Sequence, residues 1–222
     1  MKKVISYCLW GDIPKYTIGA IKNAEMAKDI YPGWICRFYV GTSTPDTVIK
    51  KLSSLSNTEL FIQKSEGNWE GMFWRFEAIS DPDVGVMLSR DCDSRLTLRE
   101  KAAVDAWLGG DKNFHIMRDH PFHQTEILGG MWGCRKPLLS NMRDLIKEYT
   151  KKGDFWQVDQ NFLREIVYPL AHPHSCVHDE FFAKQPFPVV RNGMEFVGQV
   201  FDENENTPAE HLTPLKQYLE NK

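Results

Sequence analysis

The sequence predicts an α/β fold with a Rossmann-like, mostly parallel central sheet flanked by helices. Short apolar runs typical of buried strands alternate with segments whose apolar residues recur at helical spacing. This strand–helix order implies a doubly wound sheet that is covered on both faces. No internal repeat or low-complexity linker interrupts the order, and 222 residues suit one large domain. We therefore expect a single domain over residues 1–222.

The first half of the chain supplies four predicted strands and three predicted helices. The strands cover residues 4–9, 34–40, 60–63 and 84–89. A first helix follows the turn at 10–14 and ends before Pro32-Gly33, which cannot continue it. A second helix covers 45–55, with Pro45 suited to its first turn, and a third covers 72–79.

The second half opens on a capping box, Thr97-Leu98-Arg99-Glu100, which predicts a helix from Thr97 to about Leu108 before Gly109-Gly110. Further strands are expected over 114–117, 127–134 and 175–177. Further helices are expected over 141–151 and 155–168. After Pro186 we expect a C-terminal meander and tail.

Composition and charge exclude several classes of protein. The formal net charge of −3 offers no basic field for nucleic acid. Five scattered cysteines without a C-x-x-C pair argue against a disulfide framework and against a zinc site. No apolar stretch reaches the length of a transmembrane helix. We therefore expect a cytoplasmic protein without a transmembrane segment.

Asp91-Cys92-Asp93 is the most informative motif, because it begins three residues after the end of the apolar run at 84–88. In an open α/β sheet, ligands bind beyond the carboxyl ends of the strands. Two carboxylates one residue apart can converge there on Mg²⁺ or Mn²⁺, which prefer oxygen ligands. Arg90 and Arg95 flank the motif and balance its charge, as a metal bridged to phosphate requires. The alternative is a solvated acidic turn.

With this motif, the chain resembles a nucleotide-sugar glycosyltransferase with the A-type glycosyltransferase fold. Residues 115–133 also resemble small polysaccharide-type transferases. The resemblance implies a nucleotide-sugar-binding half over about 1–95 and an acceptor-side half with a tail over about 96–222. It further implies transfer from a UDP- or GDP-linked sugar to a glycan or polysaccharide, with Asp91 and Asp93 holding Mn²⁺ or Mg²⁺. Asp93 is then the direct metal ligand, and Asp91 can instead reach the ribose or a metal-bound water.

Several residues near predicted strand ends are candidates for nucleotide binding. Arg75 lies upstream of the motif, and its guanidinium geometry suits a diphosphate, although it could equally be an exposed helix arginine. Tyr7, Trp10 and Gly11 end the first strand, where a base or ribose would lie. Core packing for Tyr7 and a tight turn for Gly11 are the alternatives.

The segment Gly129-Gly130-Met131-Trp132-Gly133 combines small residues with one large aromatic ring. Glycines allow close approach of a ligand, and the face of Trp132 could stack on a sugar, so Gly130 and Trp132 are predicted to contact the donor. A bulged strand is the alternative. In the loop at 118–123, Asp119 could bind sugar hydroxyls or belong to a charged surface turn.

Asp159 is the predicted catalytic base. It precedes Phe162, Leu163 and Ile166 by three, four and seven residues, so it lies on the inward face of its helix. If the reaction inverts configuration, this carboxylate would accept the proton of the acceptor hydroxyl. A structural carboxylate is the alternative. By analogy with the resembled fold, His178 is a candidate third metal ligand, although a polar surface explains its cluster as well.

Three other functions remain open on sequence alone. An aspartyl phosphatase or phosphotransferase also places a D-x-D after a strand, but normally after the first strand, and with Thr or Val where this chain has Arg95. A sugar-nucleotide pyrophosphorylase would carry a glycine-rich, basic loop after the first strand, of which residues 10–15 are a poor version. A non-catalytic nucleotide- or glycan-binding module is the third.

Overall fold

A seven-stranded sheet organises the part of the chain that the computed structural model describes, residues 1–221. The strands are β1 (Lys2–Leu9), β2 (Ile35–Val40), β3 (Thr58–Ile62), β4 (Val84–Ser89), β5 (Phe114–Arg118), β6 (Trp132–Arg135) and β7 (Ser175–Asp179). Their order is β3-β2-β1-β4-β6-β5-β7. Only β6 runs opposite to its neighbours, β4 and β5, among the described strands. The predicted mostly parallel sheet is confirmed.

Helices cover both faces of this sheet. In chain order they are α1 (Pro14–Ile30), α2 (Asp46–Ser53), α3 (Gly71–Trp74), α4 (Leu98–Gly109), α5 (Met142–Tyr149), α6 (Val158–Phe162), α7 (Tyr168–Ala171) and α8 (Ala209–Glu220). The capping box is confirmed, since the Thr97 side chain accepts a hydrogen bond from the Glu100 amide at the start of α4. No helix within residues 1–221 has the length and apolar character to cross a bilayer.

Three predicted elements differ most from the observed ones. The helix expected over 72–79 is two short turns, α3 and a 3₁₀ turn at Glu77–Ser80. The strand expected over 127–134 begins only at Trp132, because the residues before it form a turn that contains Gly129 and Gly130, which we call the glycine turn. The helix expected over 155–168 begins at Val158 and continues through a π-helical stretch, Leu163–Val167, into α7.

The C-terminal prediction missed a helix: part of the expected tail is α8. Pro214 inside this helix removes a hydrogen-bond donor, so the sequence offers a weak helix signal. Tertiary packing compensates for that loss, since Leu215 is fully buried against Phe181 and Phe196. Contacts with distant residues therefore stabilise a helix that local preference disfavours.

The strand order places a ligand crevice between β1 and β4. From β1 the chain proceeds outward through β2 and β3, and it then returns to β4 on the other side of β1. This reversal is the switch point at which open α/β sheets bind ligands, beyond the carboxyl ends of the strands. Because β6 is antiparallel to β4, its amino-terminal end lies at the same edge. The glycine turn before Trp132 therefore approaches the residues that follow β4.

Candidate functional site

A pocket of about 400 Å³ lies at the carboxyl ends of β1 and β4, and we call it the β1/β4 pocket. It contains five of the predicted site residues: Trp10, Gly11, Arg75, Asp91 and Asp93. The two halves of the predicted nucleotide site, separated by some eighty residues of sequence, thus meet in one cavity.

A second cavity of about 330 Å³ adjoins it, and we call it the glycine cleft. Gly130 and Asp159 line this cleft, together with Arg75 and Asp91, which also line the β1/β4 pocket. The shared residues join the two cavities into one site. The structure therefore brings the predicted base, Asp159, to the same site as the D-x-D acids.

Arg75 lies buried between two carboxylates. Its guanidinium donates to Asp91, and its Nη2 lies 3.8 Å from Oδ2 of Asp159. Burial works against the charge of Arg75, but the carboxylates of Asp91 and Asp159 outweigh burial and raise its pKa. The Nε atom is buried and has no hydrogen-bond partner among the described residues. Arg75 is thus a fixed cation in the lining of the pocket.

Asp93 is half-buried, and its surroundings disfavour the ionised form of its carboxyl group. Burial raises the pKa of its carboxyl group, and the nearby charge of Asp91 raises it further. Lys15 opposes this effect, with its Nζ atom 3.4 Å from Oδ2 of Asp93. Two carboxylates that repel each other inside a pocket are an arrangement that a bound cation stabilises.

Contacts from two distant segments hold the D-x-D loop in shape. From α1, the Asn23 side chain donates to the carbonyl oxygens of Cys92 and Ser94, at 3.3 and 2.8 Å, and accepts from the Leu96 amide at 3.1 Å. From the C-terminal segment, the Phe201 amide donates to the Asp93 carbonyl oxygen at 2.8 Å. The carboxylates are therefore attached to a fixed backbone.

Trp10 and Gly11 form one wall of the β1/β4 pocket. The Trp10 ring packs edge-on against Trp74, with ring centroids 5.7 Å apart. It also packs so closely on Gly67 that a Cβ atom there would overlap the ring. Gly11 has a φ of +71°, which favours glycine, and its amide donates to the Ser43 hydroxyl at 2.8 Å. The wall is therefore preformed.

Gly130 gives Asp91 room to enter the site. A Cβ atom at this position would overlap Oδ2 of Asp91 and lie 3.1 Å from its amide nitrogen. Gly129 has a similar role, since a Cβ atom there would lie 2.5 Å from Nη2 of Arg75. The glycine turn therefore permits close approach of the acid and the arginine.

We predict that Gly130→Ala weakens binding of Mn²⁺ with UDP or GDP by at least about tenfold, because the new methyl group displaces the Asp91 carboxylate. Isothermal titration calorimetry measures this affinity. Gly109→Ala is the matched control, since a Cβ atom at Gly109 would contact nothing within 4 Å. Wild-type affinity in Gly130→Ala would contradict the assigned role of the turn.

Two predicted ligand contacts, Tyr7 and Trp132, are wrong because both side chains belong to the core. Tyr7 is fully buried and stacks on Phe38, with ring centroids 4.9 Å apart. Trp132 is fully buried and stacks on Phe114 at 5.3 Å. Their neighbours in sequence, Cys8 and Met131, line the cavities instead. Side chains alternate between the two faces of a strand, so a shift of one residue exchanges core for site.

Arg90 is also a structural residue rather than a nucleotide contact. Its Nε atom donates to Glu100 at 2.7 Å, and its Nη1 atom donates to the carbonyl oxygens of Ser89 and Trp132, at 2.6 and 3.0 Å. These contacts tie α4 to β4 and β6 beneath the site. The sequence predicted that Arg90 supplies positive charge beside the acids; in the structure Arg75 and Lys15 supply it instead.

His178 does not join the acids. It lies within β7, and its Nδ1 atom shares a hydrogen bond of 2.8 Å with Nε2 of His115. Burial and the charge of Arg99 lower the pKa of His178 to about 4. No cluster of three metal-binding His, Cys, Asp or Glu residues occurs within residues 1–221. Placing His178 as a third ligand is therefore wrong.

Asp119 is likewise unavailable for sugar hydroxyls. It is fully buried, and its carboxylate accepts hydrogen bonds from Arg99, Arg191 and the Val197 amide, each between 2.7 and 2.9 Å. The loop at 118–123 therefore anchors the C-terminal segment rather than exposing Asp119 to a ligand.

Sequence reasoning missed Lys15 and Gln160. Lys15 stands at the second residue of α1, where its pairing with Asp93 depends on the position of β4. Gln160 accepts from the Gly129 amide at 2.6 Å and donates to the Ile127 carbonyl oxygen at 3.2 Å, so it fixes the glycine turn. Its position directly after Asp159 was the one available signal.

The donor set suits a divalent metal shared with a substrate. Asp91 and Asp93 offer carboxylate oxygens, which Mg²⁺ and Mn²⁺ prefer. Mg²⁺ is usually held by one or two carboxylates together with substrate phosphates, so no third protein ligand is required. The residues present therefore fit a metal that binds together with a diphosphate.

Comparison with solved structures identifies the fold. A glycosyltransferase involved in glycosylation of the major capsid of PBCV-1 has a TM-score of 0.56 at 14% identity, over 98% of this chain and all of the other. Residues 1–349 of Staphylococcus aureus TarS match 82% of this chain, with a TM-score of 0.56 and 14% sequence identity. The same fragment in complex with UDP also matches 82% of this chain, with a TM-score of 0.55 and 13% identity. The chain has the A-type glycosyltransferase fold.

Two further neighbours show the range of this fold. A mannosyltransferase from Pyrobaculum calidifontis in complex with GDP-mannose and Mn²⁺ matches 83% of this chain at a TM-score of 0.51 and 10% identity. A 4-diphosphocytidyl-2C-methyl-D-erythritol synthase from Anaerococcus prevotii matches 99% of this chain, with a TM-score of 0.54 and 11% sequence identity. The chain spans 59% of the TarS fragment and 58% of the mannosyltransferase. No family model matches the sequence. No curated protein sequence matches it.

Proposed function

We propose that this protein is a metal-dependent glycosyltransferase of the hexosyltransferase class. It would move a sugar from a UDP- or GDP-linked donor to a glycan or polysaccharide acceptor. One observation carries the proposal: Asp91 and Asp93 share the β1/β4 pocket with Trp10, Gly11 and Arg75 at the switch point of the sheet. The fold shared with the PBCV-1 glycosyltransferase over its whole length supports the assignment.

In the proposed site, the residues of the β1/β4 pocket bind the donor. Asp91 and Asp93 would hold Mn²⁺ or Mg²⁺, which supplies Lewis-acid stabilisation of the departing diphosphate. Arg75 faces the same charge with its fixed guanidinium, whose planar geometry suits phosphate oxygens. Trp10 and Gly11 form the wall against which the nucleoside lies.

Asp159 is the proposed base for the acceptor. Its side chain is almost fully buried at the first turn of α6, in the cleft that also contains Asp91. As the acceptor oxygen bonds to the anomeric carbon and the bond from that carbon to the diphosphate breaks, Asp159 takes the hydroxyl proton. Attack from the face opposite the diphosphate implies inversion of configuration.

The Anaerococcus neighbour favours a second candidate, a pyrophosphorylase-like enzyme that joins a nucleotide to a phosphorylated substrate. Its weakness is the loop after β1, which has only four residues, Trp10 to Ile13, before α1 begins. The nearest lysine, Lys15, faces Asp93. A phosphatase is disfavoured too, since the motif follows β4 and Arg95 pairs with Glu205 at 2.7 Å.

The proposal is tested by incubating the purified protein with a panel of UDP- and GDP-sugars. We expect release of nucleoside diphosphate from at least one donor in the presence of Mn²⁺, and loss of this activity in EDTA. Pyrophosphate release from nucleoside triphosphates with sugar 1-phosphates would support the second candidate instead. Hydrolysis of p-nitrophenyl phosphate alone would support the phosphatase.

The cellular location and the division of the chain belong to the same proposal. All five cysteines are free thiols, which supports a reducing compartment such as the cytoplasm. The boundary near residue 95 would separate donor binding from acceptor binding. Asp159 in the second half, and Asp91 and Asp93 in the first, agree with that division.

A further inference from the structure

A third cavity, of about 410 Å³, opens beside the glycine cleft. We call it the aromatic groove; it is lined by Trp69, Met72, Asp154, Phe155, Trp156, Gln157, Val158 and Asp159. The Trp156 side chain is 84% exposed, and the adjacent Phe155 is 37% exposed. Two large aromatic residues in succession on the surface of a groove, with a third in its lining, form a patch rather than a single exposed residue.

The backbone holds Trp156 in this exposed position. Gln157 has a φ of +54°, a left-handed conformation that residues other than glycine rarely adopt. Asn161 secures the turn, since its amide donates to the Gln157 carbonyl oxygen at 2.8 Å and its side chain donates to the Trp156 carbonyl oxygen at 3.0 Å. Strained backbone of this kind is retained where the surrounding structure determines it, and it clusters at ligand sites.

The aromatic groove is continuous with the proposed catalytic site. Met72, Gln157 and Asp159 line both the groove and the glycine cleft. A molecule lying in the groove would therefore reach the Asp159 carboxylate without entering the β1/β4 pocket. This is the position that an acceptor must occupy if the donor lies over Asp91 and Asp93.

The composition of the groove indicates the chemistry of its occupant. Flat aromatic faces match the apolar faces of sugar rings, and carboxylate and amide oxygens accept hydrogen bonds from hydroxyl groups. The eight lining residues include two carboxylates, Asp154 and Asp159, and no Lys or Arg. Asp159 lies 3.8 Å from Arg75, so Asp154 supplies the charge that would repel a phosphorylated or otherwise anionic polymer. An uncharged saccharide meets no such penalty.

We propose that the aromatic groove binds the acceptor as an uncharged oligosaccharide, with Trp156 stacking on a sugar ring next to the one that carries the attacking hydroxyl. This inference rests on the proposed glycosyltransferase function and names the acceptor class for it. The large flat ring of Trp offers an apolar face for such a contact, and its N–H can donate a hydrogen bond.

The test is retention on an array of immobilised uncharged oligosaccharides and their sulfated or phosphorylated counterparts. In the presence of Mn²⁺ with UDP or GDP, we expect the wild type to bind at least one uncharged series. Trp156→Ala should raise the dissociation constant at least about tenfold, which corresponds to about 1.4 kcal/mol. Trp156→Phe should retain most of the affinity, because it keeps an aromatic face.

Leu98→Ala is the matched control, since Leu98 is 72% exposed at the start of α4 and its variant should bind like the wild type. Equal binding by Trp156→Ala and the wild type, binding to anionic glycans only, or no binding at all would overturn the acceptor assignment. So would a wild-type dimer that Trp156→Ala dissociates without any glycan binding. If no donor releases nucleotide but glycan binding still depends on Trp156, the proposed glycosyltransferase activity is wrong and the assignment of the aromatic groove as a saccharide site stands.

Discussion

Asp93→Ala is expected to lower metal-dependent release of nucleoside diphosphate by on the order of a thousandfold or more. The substitution removes one of the two carboxylates of the motif and leaves Lys15 without its partner 3.4 Å away. Residual activity then depends on Asp91, which Arg75 already engages. Initial rates at saturating Mn²⁺ and donor measure the effect, and calorimetry of Mn²⁺ binding shows whether the metal is lost.

The same variant should remain folded, for a reason that the structure supplies. Burial, followed by the charge of Asp91, places the pKa of Asp93 above its ordinary value. For such a carboxyl group, stability decreases as the pH rises from the unfolded-state pKa through the higher folded-state pKa, so the ionised group costs stability at neutral pH. The melting temperature of Asp93→Ala at pH 7 should therefore equal or exceed that of the wild type.

Asp105→Ala is the matched control, because Asp105 is an exposed acid on α4 that pairs with Lys101 of the same helix. It should retain full activity. Full activity in Asp93→Ala, measured beside this control, would refute the metal assignment. Loss of activity together with loss of the folded state would show that Asp93 has a structural role.

Asp159→Asn is expected to lower kcat for transfer by about 10²- to 10⁴-fold, the usual contribution of a general base. Asparagine preserves the shape of the side chain but cannot accept the proton. The dissociation constant for UDP or GDP should change by less than about threefold, because Asp159 lies outside the β1/β4 pocket and Arg75 keeps its hydrogen bond to Asp91. Transfer kinetics and calorimetry together separate the chemical step from binding.

Glu165→Gln provides the control for this second variant. Glu165 lies in the π-helical stretch that continues α6, but its carboxylate pairs with Tyr149 and Lys152 away from the cleft. It should transfer sugar at the wild-type rate. An equal loss of kcat and nucleotide affinity in Asp159→Asn would identify a carboxylate that holds Arg75 in place rather than a base.

Local sequence signals predicted the elements that carry the site. The apolar run of β4 followed by two acids, the capping box at Thr97 and the turn after β1 are patterns of adjacent residues, and each is confirmed. The inward position of Asp159 followed from helical spacing to Phe162 and Leu163, and its side chain is almost fully buried. Periodicity was sufficient there because one face of the helix is apolar.

The same signals failed where most positions of a strand are buried. In β1 and β6 most residues on both faces are covered, so no alternation of polar and apolar residues shows which face Tyr7 or Trp132 occupies. The predictions for His178 and Arg90 failed for a related reason. Their partners, His115 and Glu100, come from other elements and make each polar group part of the interior.

The order of residues along the chain was enough to predict an α/β sheet, a pair of acids at the end of a central strand and an inward carboxylate on a later helix, since these depend on neighbours within a few turns. Only tertiary structure decided that Arg75 lies between Asp91 and Asp159, that Lys15 faces Asp93, and that a glycine turn makes room for the acids. Such contacts join segments far apart in sequence, and their geometry depends on the register and crossing of whole strands and helices.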